Sequence, residues 1–316
     1  MKNFLANLTN SGRRALTFGF ALAAMASTTL TAAETGRAFA TPEDAVAALV
    51  SAVQTTNQAS LRAVFGPAAD ELVNPDAVQA ANEFATFAAA LNETNRLVRE
   101  SATRCILELG KTAWPFPVPI VKKDGQWFFD TAAGVEELTN RRIGRNEIET
   151  LQVVRAYVQA QRQYASRDRD GDEVLEYAQK ITSSPGLKDG LYWPPELDGE
   201  VSPLGPLAAA AAREGYGKDK NALDALAPFH GYHFKILTRQ AKSAPGGKYD
   251  YVINGNMIGG FALVAWPAEH GETGIMTFIV NQQGRVYQKD LGAQTAKAVE
   301  SMKAYDPDKT WTVSAD

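Results

Sequence analysis

The stretch Phe116–Asp130, FPVPIVKKDGQWFFD, decides how this chain is read. Val118 and Ile120 lie on one side of Lys123-Asp124-Gly125, and Trp127 to Phe129 on the other. Asp-Gly between two apolar arms is a strong hairpin signal, because a tight two-residue turn needs positive φ at both central positions. The prolines at 115, 117 and 119 lack an N–H and suit an edge strand. A hairpin at this point, with helical patterns before and after it, makes the chain α+β.

Upstream the period is helical. In ATPEDAVAALVSAVQ (40–54), Thr41 can cap, Pro42 suits the first helical position and Asp44 closes a capping-box pattern. Val46, Leu49, Val50 and Val53 then share one helical face. ASLRAVFGP is a second short helix stopped by Gly66-Pro67, and residues 76–91 are a third, alanine-rich one. Residues 96–109 read as one extended strand with Cys105, Leu107 and Leu109 on the same face.

Downstream, residues 134–165 carry the chain into a long helix. Gly144 is a point at which it can break, and Ile148, Leu151, Val154 and Val158 form its apolar stripe. The boundary between an N-terminal domain (41–140) and a C-terminal domain (145–316) is placed at 139–145. Residues 183–217, rich in Pro and Gly, read as an irregular excursion pinned by Tyr192 and Trp193. Five short strands follow, in HGYHFKILTRQ, KYDYVING, GGFALVAWP, GIMTFIVN and RVYQKDL. Turn clusters part them at regular spacing, which predicts an antiparallel meander. A last helix is expected at 294–304.

Composition narrows the function classes. The chain has 316 residues, 45% hydrophobic and 22% charged, enough for a sizeable core. A net charge of −4 with no basic stripe argues against nucleic-acid binding. Residues 1–33 read as an export signal: Lys2, Arg13 and Arg14 precede the apolar run Ala15–Ala26, and small residues follow. Cleavage is expected after Ala33 or as late as residue 40. It leaves no stable membrane span and takes the net charge from −4 to −7. The product is then exported, periplasmic or secreted. Cys105 is the single cysteine, so no intramolecular disulfide is possible, and no basic neighbour in the sequence activates it.

Chemistry-bearing motifs are few. Asp168, Asp170 and Asp172 have the Asp-x-Asp-x-Asp spacing of a calcium turn. Counted as an EF-hand from Asp168, however, the position that needs Gly is Glu173, so the loop is a non-EF calcium site or a solvated polar turn. His230 and His233, three apart on a strand, point to opposite faces and cannot chelate together. His270 is the third histidine. NGNMIGG (254–260) reads as a hairpin rather than a phosphate cradle, since no helix follows it. No G-x-S-x-G, H-E-x-x-H or Walker pattern occurs, and no catalytic residue or cofactor is assigned. The tryptophans at 114, 127 and 193 serve either as loop and core anchors or as an aromatic binding groove.

ATPEDAVAALV, WPFPVPIVKKDGQWFFDTAAG, RRIGRNEIETLQVVRAYVQAQRQYA, APGGKYDYVINGNMIGGFALVAWPAEHG and YDPDKTW together resemble the family called domain of unknown function 2950. The likeness covers about residues 40–313, and the family implies export, a two-part layout and no known catalytic residues. More loosely, residues 41–138 are similar to the cystatin-like roll of nuclear-transport-factor-like domains. Residues 145–291 are similar to type IV pilin or pseudopilin heads, with a long helix packed on an antiparallel sheet. That second likeness implies that GDEVLEYA (171–178) is a short helix after the acidic turn. The expected function is a non-enzymatic binding or assembly module with a protein partner in the bacterial envelope. A hydrolase acting on an envelope polymer and a calcium-dependent binding module are the alternatives.

Overall fold

The computed structural model describes residues 36–169, 171–197, 199–216 and 228–314, so residues 1–33, expected as an export signal, lie outside the described residues. Helix α1 (Pro42–Gln54) starts as its sequence dictates: Thr41 accepts from the Asp44 N–H, and the Asp44 carboxylate accepts from Thr41. Helix α2 (Gln58–Phe65) ends at Gly66, and a short 3-10 turn (Pro67–Leu72) leads to α3 (Ala77–Glu93), capped by Asp76.

The expected single strand at 96–109 is two, β1 (Asn95–Ser101) and β2 (Arg104–Leu109), paired antiparallel. Their turn contains neither Gly nor Pro, and the Ser101 hydroxyl accepts from the Thr103 N–H to close it, so the usual turn residues are missing from the sequence. Next come β3 (Trp114–Pro115), β4 (Ile120–Lys123) and β5 (Gln126–Phe129). Asp124 and Gly125 take φ of 51° and 81°, as the Asp-Gly turn requires. The sheet order is β1-β2-β4-β5, with β3 beside β2. Its inner face buries Cys105, Leu107, Leu109, Ile120, Trp127 and Phe129 against α1 to α3. Each buried Leu or Phe contributes about 1.5–3 kcal/mol.

Helix α4 (Thr131–Tyr164) runs unbroken through Gly144. One glycine costs a helix only about 1 kcal/mol, and packing at both ends outweighs it. Its first turns meet the N-terminal core: Thr131 donates to the Phe65 carbonyl at 2.6 Å, and Gly134 lies flat on Val118. Its last turns bury Val154, Tyr157, Val158 and Tyr164 in a second apolar cluster. Ile148, placed in the apolar stripe by its spacing, is 61% exposed. Thr150 and Gln161 take buried positions instead, so the helix face is rotated from the purely apolar pattern.

The chain after α4 is not the short helix expected at 171–178, but an extended segment laid along α4. Gln161 bonds both the N–H and the carbonyl of Ala178, at 2.9 and 2.8 Å, and holds it there. The Pro- and Gly-rich excursion does bury Trp193, but it also contains a helix, α5 (Gly205–Glu214), built on an alanine run and closed by Gly215 at φ 109°.

An antiparallel sheet follows, but of the five expected strands KYDYVING is not in it: residues 249–253 go to two small side ladders, and Thr312–Val313 supplies the fifth strand. Strand β6 (Tyr232–Leu237) pairs with β11 (Ala262–Pro267), β11 with β12 (Met276–Asn281), β12 with β13 (Tyr287–Asp290) and β13 with β14 (Thr312–Val313). Two small ladders interrupt it, β7 (Arg239–Gln240) with β8 (Tyr249–Asp250) and β9 (Val252–Ile253) with β10 (Asn256–Met257). Helix α4 covers one face of the sheet and α6 (Thr295–Ser301) the other, which is why β11 and β12 are buried almost throughout. Lys235 reaches across to donate to the Val299 carbonyl in the last turn of α6, at 2.6 Å.

Candidate functional site

An open, shallow recess lies in the N-terminal half, between α1 and β1. The buried stripe of α1 is Ala45, Leu49, Ala52 and Val53. Its flank, Val46, Ala47, Val50 and Ser51, is left facing β1 and forms one wall. Asn95 and Leu97 form the other. Leu97 is opposite buried Leu107 across the ladder, so it projects to the α1 side of the sheet. At one end Gln54 donates to Asn92, in the last turn of α3 just before β1, at 3.2 Å. The resulting groove has a volume of about 550 Å³. Glu43 is the single ionisable residue of its lining. Cys105 lies buried behind the sheet surface, and burial pushes its thiol up, so it supplies no thiolate.

The acidic stretch is used locally. Asp168 accepts from the N–H groups of Gly171 and Glu173, at 2.8 and 2.9 Å. Asp172 accepts from the Val174 N–H and from Asn256, at 2.8 and 2.7 Å, and Glu176 accepts from the Met257 N–H at 3.0 Å. These carboxylates bind the turn to itself and to β10. Arg169 turns inward, stacked 5.2 Å from the Tyr164 ring and 5.5 Å from that of Trp193. Asp170 lies outside the described residues. Among the described residues no group of three or more His, Cys, Asp and Glu side chains is arranged to hold a metal ion.

The histidines are dispersed. His233 stacks on Trp266 at 5.3 Å, and His270 Nε2 lies 2.8 Å from Asp290. His230, just before β6, faces α4 and α5. Its Nδ1 is 2.6 Å from Glu149 Oε2 and its Nε2 is 3.1 Å from Glu214 Oε2. The Nδ1 contact is close but off the line of a hydrogen bond. This pair of carboxylates went unseen in the sequence, where Glu149, Glu214 and His230 are far apart. They approach opposite nitrogens of one largely buried ring. The same seam joins the two halves: Tyr216 donates to Asp76 at 2.6 Å and Asn82 to the Glu214 carbonyl at 3.0 Å.

The tryptophans are anchors in the main. Trp127 and Trp193 are buried, and Trp114, 39% exposed, lies under Arg141. The groove residues carried no motif in the sequence. The available signal was the apolar run on two adjacent faces of α1, with Val46 and Val50 beside the buried stripe.

A family model described as Protein of unknown function (DUF2950) matches residues 36–313, and the chain belongs to that family. No curated protein and no solved structure matches it.

Proposed function

We infer that this member of the DUF2950 family is an exported, non-enzymatic binding module of the bacterial envelope, and that its site is the groove between α1 and β1. The observation that carries this is the groove's lining: apolar side chains, a few neutral polar ones and one carboxylate, Glu43. General acid–base or nucleophilic catalysis needs at least two cooperating groups within hydrogen-bond reach. Binding needs an apolar recess with a few polar groups to orient the ligand. Hydrolysis is the weaker reading, because the carboxylates that converge, Glu149 and Glu214, close on the largely buried ring of His230 and not on the groove. Export is supported by the charged and apolar pattern of residues 1–33. The likeness of the C-terminal half to pilin heads is supported by α4 packed on an antiparallel sheet.

A photo-crosslinking residue placed at Ser51 in the exported protein tests the reading in cells. It is expected to trap one discrete envelope component. The same residue at exposed Lys309 is expected to trap nothing in common with it. Identical adducts from the two positions, or turnover of an envelope polymer that survives blocking of the groove, overturn it.

A further inference from the structure

The groove has an unusual wall. Strand β1 is the terminal strand of its sheet, paired with β2 on one side only. Alternate N–H and C=O groups along it therefore point away from β2, and among the described residues they take no backbone partner. A free edge of this kind is normally guarded by charge, proline or a bulge. Here proline is absent from β1, and the bulge lies between Arg99 and Ser101, at the far end. Arg96 pairs across the ladder with Glu108 and stays largely exposed, and Arg99, also exposed, lies 5.4 Å over the Trp127 ring. Asn95 to Val98 is thus an edge with neither proline nor bulge and with Arg96 as its one charged residue, and Asn95 and Leu97 of the same stretch line the groove.

We propose, building on the binding reading above, that the ligand of this groove is an extended polypeptide segment of a partner protein, added to the sheet as a strand along Asn95–Val98. A strand paired there lies about 4.8 Å from β1 in the plane of the sheet, beside the groove. Its backbone takes the unpaired groups of the edge. Its side chains alternate, so every second one drops between Val46, Val50 and Leu97, while the others face away. Glu43, in the first turn of α1, has no ion-pair partner among the described residues, so the fitting segment carries apolar residues at alternate positions and a Lys or Arg beside them. The hydrogen-bonding edge specifies a backbone, which is what sets a polypeptide apart from a lipid or a small apolar molecule.

The test uses random heptapeptides displayed on phage, selected against the purified protein. Alternating apolar sequences with a basic residue are expected. Ala47→Arg places a long side chain in the groove at an exposed helical position where both residues are good helix formers. It is expected to weaken the recovered peptides by about tenfold or more, and Glu43→Gln by about two- to fivefold, the value of one exposed ion pair. Amide exchange supplies the readout of strand addition: alternate amides within Asn95–Val98 are expected to slow by about tenfold on binding, with those of β14 unchanged. Peptides that bind and respond to Ala47→Arg without slowing the β1 amides overturn strand addition and leave the binding reading standing. The same division follows if no peptide is recovered but the apolar dye 1-anilinonaphthalene-8-sulfonate binds and is displaced by Ala47→Arg. If neither peptide nor dye binds the groove, both readings fall.

Discussion

His233 shows how one buried side chain sets behaviour in mild acid. It sits on β6 stacked on Trp266, and burial holds its pKa below the ordinary 6.5. As the pH falls through that ordinary value, the unfolded chain takes up a proton that the folded chain refuses. Stability is therefore lost on going down from about pH 6.5 toward the folded pKa. His233→Phe keeps an aromatic ring against Trp266 and removes the proton. The fall in Tm between about pH 7 and 5 is expected to be shallower in this variant, and parallel curves for the two proteins would contradict the assignment. His233 was legible as a strand residue from the alternation of Tyr232, Phe234 and Ile236. Its neutral, stacked state was not, because Trp266 comes from another strand and sequence spacing does not report cross-strand neighbours.

At the scale of elements, two glycines of α4 give opposite expectations for the same substitution. Gly134 has no room: an added Cβ would sit 2.6 Å from the Val118 side chain. Gly134→Ala is expected to destabilise the protein by about 1–3 kcal/mol, overpacking outweighing the gain in helix propensity. Gly144 has nothing within 4 Å, so Gly144→Ala is expected to stabilise by about 0.5–1 kcal/mol. Urea denaturation of the two variants checks both signs, and a destabilised Gly144→Ala would show that the helix is interrupted there. The contrast also explains where sequence reading succeeded. Caps, Asp-Gly turns and period-2 strands are local, and α1, α2, α3, the β4–β5 hairpin and four strands of the C-terminal sheet follow from them. The continuity of α4, the β1–β2 turn and the extended segment at 171–178 depend on packing from distant residues such as Val118, Gln161 and Met257. The α1–β1 groove depends on which flank of a helix a sheet leaves uncovered, and no local pattern encodes that.

At the scale of the molecule, the carboxylates held low in the folded state are concentrated in the C-terminal half. Asp290 is held down by the Gly292 N–H and then by His270, Glu200 by Lys188, and Asp308 by Thr310; Asp189, although burial pushes it up, is held low by Lys180 and Ser184. Each contributes stability that is present above the unfolded carboxylate values, about 3.9–4.3, and lost as the pH falls through the folded ones. Acid is therefore expected to lower Tm steeply below about pH 4, with salt softening the effect because these groups are largely exposed. The loss is not expected to stay in one half. Helix α4 belongs to the C-terminal cluster through Val154–Tyr164 and leans on the N-terminal core through Thr131 and Gly134, so melting either half removes a support of the same helix. Near-ultraviolet and far-ultraviolet signals should give coincident transitions. Separate transitions would show that α4 comes apart between the clusters.

That shared helix bears on how such a protein can be inherited. Recombination spreads modules by cutting where the chain crosses from one folded unit to the next in an exposed linker. Here the boundary expected at 139–145 falls inside α4, and a break there would leave each fragment with a frayed half-helix. The two halves are therefore constrained to travel in genomes as one gene segment, in keeping with a family match that runs over residues 36–313.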